Sequence, residues 1–320
     1  MPLLLNRNEL TPLLDLPKAI ELIEEAHRQQ AAGEIVPHAP YHIRVGEHAG
    51  LRVVSGAVLK SRRVGVRLGP NSGLGGGGKM YALLFDAESG DLLSFMGFPF
   101  GTLRTAAVVA IAAKHMARED SQKLGLFGVG RNAFGILKGL LTVRPIKEIF
   151  VSSRDPQRRK KFCEEAAALL GISVHGVDDP ERAVRGMDVI LTATNSLTPI
   201  FPEDWVEPGT HVSSMGKPTE LSRGLHLKAN LIVVGSQEQE RNYSDRSAAL
   251  PLVELTAEGK LSWSRIPELG ELVTGQIRGR TNRDEINIFR ESQGGYGDMA
   301  FAAWLYEEAK RRGLGTRMEL

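Results

Sequence analysis

Gly128, Gly130 and Ala133 stand at the spacing G-x-G-x-x-A within LGLFGVGRNAFG, residues 124–135. That spacing suits a phosphate. The first glycine allows a tight turn, the second lets backbone approach a pyrophosphate, and a small third residue lets the next helix pack closely on the preceding strand. Free N–H groups and the dipole at the start of such a helix favour negative charge. Gly128, Gly130, Arg131, Asn132 and Ala133 are therefore expected to hold the phosphates of a dinucleotide.

The end of the following strand chooses between the two nicotinamide dinucleotides, because an acidic side chain there accepts hydrogen bonds from the ribose 2′-OH. The chain reads IFVSSRDPQRRKK. Ser152 leads into Ser153 and Arg154, which suit a 2′-phosphate through charge-assisted hydrogen bonds, whereas Asp155 turned inward would select NAD. Arg158, Arg159, Lys160 and Lys161 either reinforce the phosphate reading or form a solvated helix face. The balance favours NADP(H) over NAD(H).

These residues need elements to position them. After Arg118 strand and helix alternate: strand 124–127, helix 133–141, strand 148–152, helix 157–170, a helical DPERAVRGM, then strands in DVILTAT, THVSSM, NLIVVG and INIFRES. Such repeats predict a parallel sheet covered on both faces, a doubly wound α/β dinucleotide-binding domain over 118–295. The first 117 residues differ. An amphipathic helix over 16–30 precedes short β-prone runs between 36 and 98, read as a mostly antiparallel sheet. An Ala-rich helix, 103–116, leads out. This is a smaller α/β domain. GPNSGLGGGGK, 69–79, is a loop, either a hairpin connection or a lid ending in Lys79. IPELGELVTGQ and 298–311 read as helices.

With 42% hydrophobic and 24% charged residues among 320, the chain has the composition of an ordinary globular protein. Forty Lys and Arg against 38 Asp and Glu leave no field for nucleic acid or an acidic membrane, so the expected partner is a small molecule. Cys163, alone and within a helical run, is read as a packed thiol, and that usage fits the cytoplasm. No apolar run is long enough to span a bilayer, and MPLLLNRNEL lacks the apolar core of a signal peptide. His38, His42 and His48 lie close in sequence without the spacing of a metal site. Ser213 and Ser214 show no nucleophile elbow and no recognisable histidine partner, which argues against a hydrolase.

Taken in order, TLRTAA at 102–107, GVGRNA at 128–133, VILTAT at 189–194 and SQGGYGDMAFAA at 292–303 resemble the ornithine cyclodeaminase and mu-crystallin family over almost the whole chain. The resemblance implies that residues 1–117 bind substrate and form a homodimer, and that the final helix, within 296–320, returns to this first domain. It also implies one of three activities. These are an NAD(P)-dependent reductase or dehydrogenase of a small imino or 2-oxo acid, a cyclodeaminase with catalytic NAD, and a non-catalytic NADPH-binding protein. By family position Arg104 matches a substrate-carboxylate arginine, and Arg44 another. Thr192, Ala193, Thr194, Ser214, Met215, Gly216 and Gly295 fall on the cofactor side. Asp298 falls there too, or else caps the last helix. Two departures stand out. Gly65-Val66-Arg67 replaces a family G-x-K, and a guanidinium binds a carboxylate but does not readily pass a proton, leaving that role to Lys79 or another group. MGKPTEL lacks the family's aspartate, which weakens the cyclodeaminase reading; Glu220 nearby is expected to be structural.

Overall fold

The computed structural model describes residues 1–38, 40–45, 49–70, 79–243, 250–292 and 295–319, and only the backbone of 36, 37, 44, 45 and 49. The glycine loop at 71–78, His48, and Gln293 and Gly294 of the last motif therefore lie outside the described residues, as does the side chain of Arg44.

In chain order the first half forms β1 (Leu3–Leu5), α1 (Arg7–Leu10), α2 (Leu16–Ala31), β2 (Ile35–Pro37), β3 (Tyr41–Val45), β4 (Ala49–Val58), β5 (Arg63–Pro70), β6 (Tyr81–Asp86), β7 (Leu92–Gly97) and α3 (Gly101–Met116). Then come β8 (Lys123–Phe127), α4 (Ala133–Leu141), β9 (Glu148–Ser152), α5 (Pro156–Leu170), β10 (Ser173–Gly176), β11 (Val189–Thr192), β12 (His211–Ser214), α6 (Arg223–Lys228) and β13 (Leu231–Val234). The chain closes with α7 (Gln237–Arg241), α8 (Pro251–Ala257), α9 (Leu269–Val273), β14 (Asn287–Arg290), α10 (Gly295–Arg312) and β15 (Thr316–Arg317). No helix among the described residues is long and apolar enough to cross a membrane.

Two compact units result. The first comprises Met1–Ala107, Glu238–Ser244 and Ser292–Leu320, and the second Val108–Gln237 and Asp245–Glu291. In the first unit one sheet runs β15-β1-β7-β6-β5-β4-β2, with β3 also paired to β4. Strands β2 to β7 pair antiparallel, while β1 joins β7 in parallel and β15 antiparallel. Helix α10 packs across β4 and β5 and against α2. Close approach sets this packing. A side chain at Gly65 would strike the Leu83 carbonyl and the Met299 sulfur, and one at Gly295 the Ser55 carbonyl.

The second unit is a parallel sheet in the order β10-β9-β8-β11-β12-β14-β13, so strand order reverses between β8 and β11. Successive β11 residues serve opposite faces. Val189 and Leu191 pack with α3, α4 and α5 residues such as Val109, Ile136 and Cys163. Ile190 packs on the other side with Leu225 of α6 and Leu252 of α8. Burial pushes the Cys163 thiol pKa up, as befits a packing residue rather than a nucleophile. The end of α3 is held by cations: Arg144 Nη2 donates to the Lys114 and Ala117 carbonyls at 2.8 Å each, and Arg280 Nε to Met116 at 2.9 Å. Positive charge there complements the helix dipole.

Candidate active site

The reversal of strand order is where an open α/β sheet takes a dinucleotide. There β8 turns directly into the glycine motif. Gly128 has φ 95°, and its N–H donates to the Ser152 carbonyl at 3.0 Å. A Cβ on it would lie 2.7 Å from the Ala193 carbonyl, so this turn requires glycine twice over. Gly130 is the opposite case: a Cβ there would meet none of the described residues within 4 Å. Asn132 makes no side-chain cap to α4, and Ala133 is fully buried against the sheet. An open cradle at the uncapped start of a helix is what a pyrophosphate requires, and the residues fit the group.

At the end of β9, Ser152 and Ser153 are half-buried and Arg154 is exposed. The Asp155 carboxylate accepts from the Gln157 and Arg158 N–H groups at 3.0 Å each, so it caps α5. Arg159 donates to the Ser153 carbonyl at 3.1 Å and pairs with Asp178, while Lys160 and Lys161 pair with Glu164 and Glu165.

The ends of β11 and β12 are tied through one carboxylate. Glu220 is fully buried and accepts from Thr192 Oγ1 at 2.8 Å, Ser214 Oγ at 3.2 Å, the Gly216 N–H at 3.0 Å and the Thr194 N–H. Thr192 and Ser214 are themselves fully buried, so their hydroxyls shape the strand ends from beneath. Ala193, Thr194, Met215 and Gly216 are half-buried. Ser213 does have a histidine partner that spacing did not reveal, since His211 Nε2 lies 3.0 Å from its hydroxyl. Both are fully buried, and burial with the Arg280 and Arg144 charges lowers the His211 pKa to about 3. A substrate does not reach this pair.

In the first unit, three arginines act on one buried aspartate. Arg67 Nε donates to Asp298 Oδ2 at 2.7 Å, and Arg104 Nε stands 3.0 Å from Oδ1 as an ion pair without hydrogen-bond alignment. Register places Arg67 opposite Val54, two residues from Arg52 on β4. Burial works against a charged Asp298, yet Arg104, Arg67 and Arg52 together hold its carboxyl below the ordinary aspartate value. The Arg67 side chain is only 7% exposed; its guanidinium lies 5.1 Å from the Phe98 ring centre and 3.5 Å from the Met80 sulfur.

The family model described as the ornithine cyclodeaminase/mu-crystallin family matches residues 6–313. The chain belongs to this family. A Δ1-pyrroline-2-carboxylate reductase of Bacillus cereus is 31% identical over 243 residues, 74% of this chain and 73% of its own. The structure of the Thermococcus litoralis Δ1-pyrroline-2-carboxylate reductase with NADH and L-proline superposes with TM-score 0.90 at 28% identity, covering 99% of this chain and 100% of that one. An archaeal alanine dehydrogenase dimer with bound NAD gives 0.88 at 28%, covering 100% and 99%. Matched regions span 65% and 73% of the lengths of the two curated relatives that match first.

Within that family frame the remaining expected residues fall as follows. Asp298 lies one turn inside α10 rather than before it, and so caps no helix start. Gly295 belongs to the first unit, backed against β4. Lys79 is exposed. Arg44 pairs through its backbone with Gly50. Arg52 escaped the sequence reading; the two-residue alternation Arg52, Val54, Gly56 along β4 was the signal that could have found it.

Proposed function

We propose that this chain is a nicotinamide-dependent oxidoreductase that reduces a small cyclic imino acid to the amino acid, preferring NADPH and working as a homodimer. The buried arginine cluster around Asp298 carries the reading. Its guanidinium groups suit a substrate carboxylate, which such a group grips through two parallel hydrogen bonds. Arg67 and Arg104 are the residues assigned to that grip, with Arg44 as a further candidate. The relatives named for pyrroline-2-carboxylate reduction support an imine as the group reduced.

When bound, the cofactor supplies a hydride to the imine carbon. Gly128, Gly130, Asn132 and Ala133 would hold its pyrophosphate. Ser153 and Arg154 would take a 2′-phosphate, and engagement of Asp155 in capping α5 supports that choice over NAD. A cyclodeaminase needs a base to free the attacking amine. The one carboxylate in MGKPTEL, Glu220, is taken up by four donors, which supports reduction instead.

The test is a panel with purified protein: Δ1-pyrroline-2-carboxylate, the six-membered cyclic imine, pyruvate with ammonium, and ornithine with trace NAD. Cofactor oxidation with the cyclic imines, at least about tenfold more efficient with NADPH than NADH, is the expected result; one charge-assisted contact is worth roughly that factor. Proline formed from ornithine without net cofactor change would make the chain a cyclodeaminase. Tight NADPH binding with no turnover of any substrate would make it a binding protein.

A further inference from the structure

Glu220 ends a short 3₁₀ turn, Pro218–Glu220, and its carboxylate joins two strand ends of the second unit. Oε2 accepts from Thr192 Oγ1 at 2.8 Å at the end of β11, and from Ser214 Oγ at 3.2 Å and the Gly216 N–H at 3.0 Å at the end of β12. Oε1 accepts from the Thr194 N–H. Around this point the two loops are stitched together: Thr219 Oγ1 donates to the Ser196 carbonyl at 2.7 Å, and the Ile200 N–H to the Glu220 carbonyl at 3.0 Å. A side chain on Gly216 would strike the Thr194 carbonyl and Glu220 itself.

These loops border the dinucleotide turn. A Cβ on Gly128 would lie 2.7 Å from the Ala193 carbonyl oxygen and 3.2 Å from Thr194 Cγ2. A doubly wound sheet gives one mononucleotide to each half. The glycine turn after β8 and the ribose-selecting end of β9 assign the adenosine half to β8, β9 and β10, which leaves the nicotinamide half to β11 and β12 across the reversal. Resting on the nicotinamide-dependent reading, we infer that Glu220 is a positioning residue for the nicotinamide half of the cofactor. Fully buried, it acts through the backbone of 193–194 and 215–216 rather than by contact. Its chemistry is specific. A carboxylate only accepts, whereas a glutamine of the same shape carries an NH₂ group. Placed at Oε1, that group faces the Thr194 N–H; placed at Oε2, it faces the Gly216 N–H. Hydroxyls can turn to become acceptors and backbone N–H groups cannot, so the amide releases one loop whichever way it turns.

Wild type and Glu220→Gln are titrated by calorimetry with two pairs of ligands, NADPH with 2′-phospho-ADP-ribose and NADH with ADP-ribose. Members of a pair differ by nicotinamide alone, so the comparison does not depend on which dinucleotide the protein prefers. Glu220→Gln should bind the whole dinucleotide about tenfold more weakly, the scale of one lost hydrogen bond, and the nicotinamide-free fragment within about twofold of wild type. An equal loss for both members of a pair, or no loss, would leave the carboxylate a role in folding alone and overturn the proposal. On Δ1-pyrroline-2-carboxylate the variant should lose about 10²-fold in kcat, the cost of reacting atoms misplaced by about an ångström, with KM for the imine moving far less. A loss confined to KM overturns the proposal. Should Glu220→Gln not fold, hydrogen exchange of wild type decides: peptides covering 193–202 and 215–222 should exchange more slowly with NADPH than with 2′-phospho-ADP-ribose, and equal exchange overturns the assignment. Wild type that binds neither dinucleotide overturns the nicotinamide-dependent reading and this role with it. Wild type that binds a dinucleotide but reduces no imine overturns the reductase reading only, and the ligand pairs then decide Glu220 alone.

Discussion

Asp298 lies between Arg67 and Arg104, 2.7 Å from one Nε and 3.0 Å from the other. Two guanidinium groups buried side by side repel, and removal of the partner of a buried pair leaves charge without compensation, at a cost of about 3–5 kcal/mol. Asp298→Asn should therefore lower stability in urea by roughly that amount at neutral pH. The pH dependence has a defined sign. The folded carboxyl titrates below its ordinary value of 3.8, so its stabilisation is full above that value and fades as pH falls through the folded pKa. The gap between variant and wild type should then be widest at neutral pH and narrow in acid. A gap of the same size at every pH would place the loss in packing rather than in charge. This partnership was not legible in the sequence, because Asp298 and Arg67 are 231 residues apart and no local pattern pairs them.

At the scale of elements, the turn from β8 to α4 makes opposite demands on its two glycines. Gly128→Ala forces a side chain into φ 95° and against the Ala193 carbonyl, strain of about 1–3 kcal/mol, and should weaken both folding and NADPH binding. Gly130→Ala meets no atom of the described residues within 4 Å, so thermal stability should hold while NADPH affinity falls by about tenfold or more, as a methyl enters the space of a close backbone–phosphate approach. Unchanged affinity in Gly130→Ala would remove the pyrophosphate from this turn. The turn was readable in advance because strand, glycines and helix are contiguous, and α4 spans Ala133–Leu141 as its periodicity indicates. Elements that depend on distant partners were not. β1, only Leu3–Leu5, exists through parallel pairing with β7 and was missed. The helix expected in DPERAVRGM is a short 3₁₀ turn, Pro180–Ala183, capped by Asp179 and followed by Gly186 at φ 70°. Helix α10 starts at Gly295, three residues before Asp298, because close contact with Ser55 compensates for the poor helix propensity of glycine.

At the scale of the molecule, helix α10 covers one face of the first unit's sheet. Helix α10 lies against β4 and β5, and the residues facing it include Val54, Gly65 and Arg67. The alternate residues form the other face. Register sets Ile43 beside Leu51, and aligns Tyr41, Val53, Leu68 and Tyr81 in one row across four strands. Tyr81 stacks on Phe95 at 5.2 Å, and Phe95 pairs with Leu4 of β1. Tyr41 is 67% exposed and Ile43 46%, with Leu51, Tyr81 and Leu4 also exposed. A contiguous apolar sheet face of this kind marks a partner surface, and the archaeal alanine dehydrogenase relative is a dimer. A second copy of the chain is the occupant proposed here. Sedimentation at micromolar concentration should give a dimer for wild type and a monomer for the double variant Ile43→Glu, Tyr81→Glu, because two charges per subunit would have to be buried at the junction. The dinucleotide turn lies in the other unit, so the variant should still bind NADPH, which separates lost association from lost folding. A monomeric wild type would refute the dimer, and a dimeric double variant would move the interface to another face.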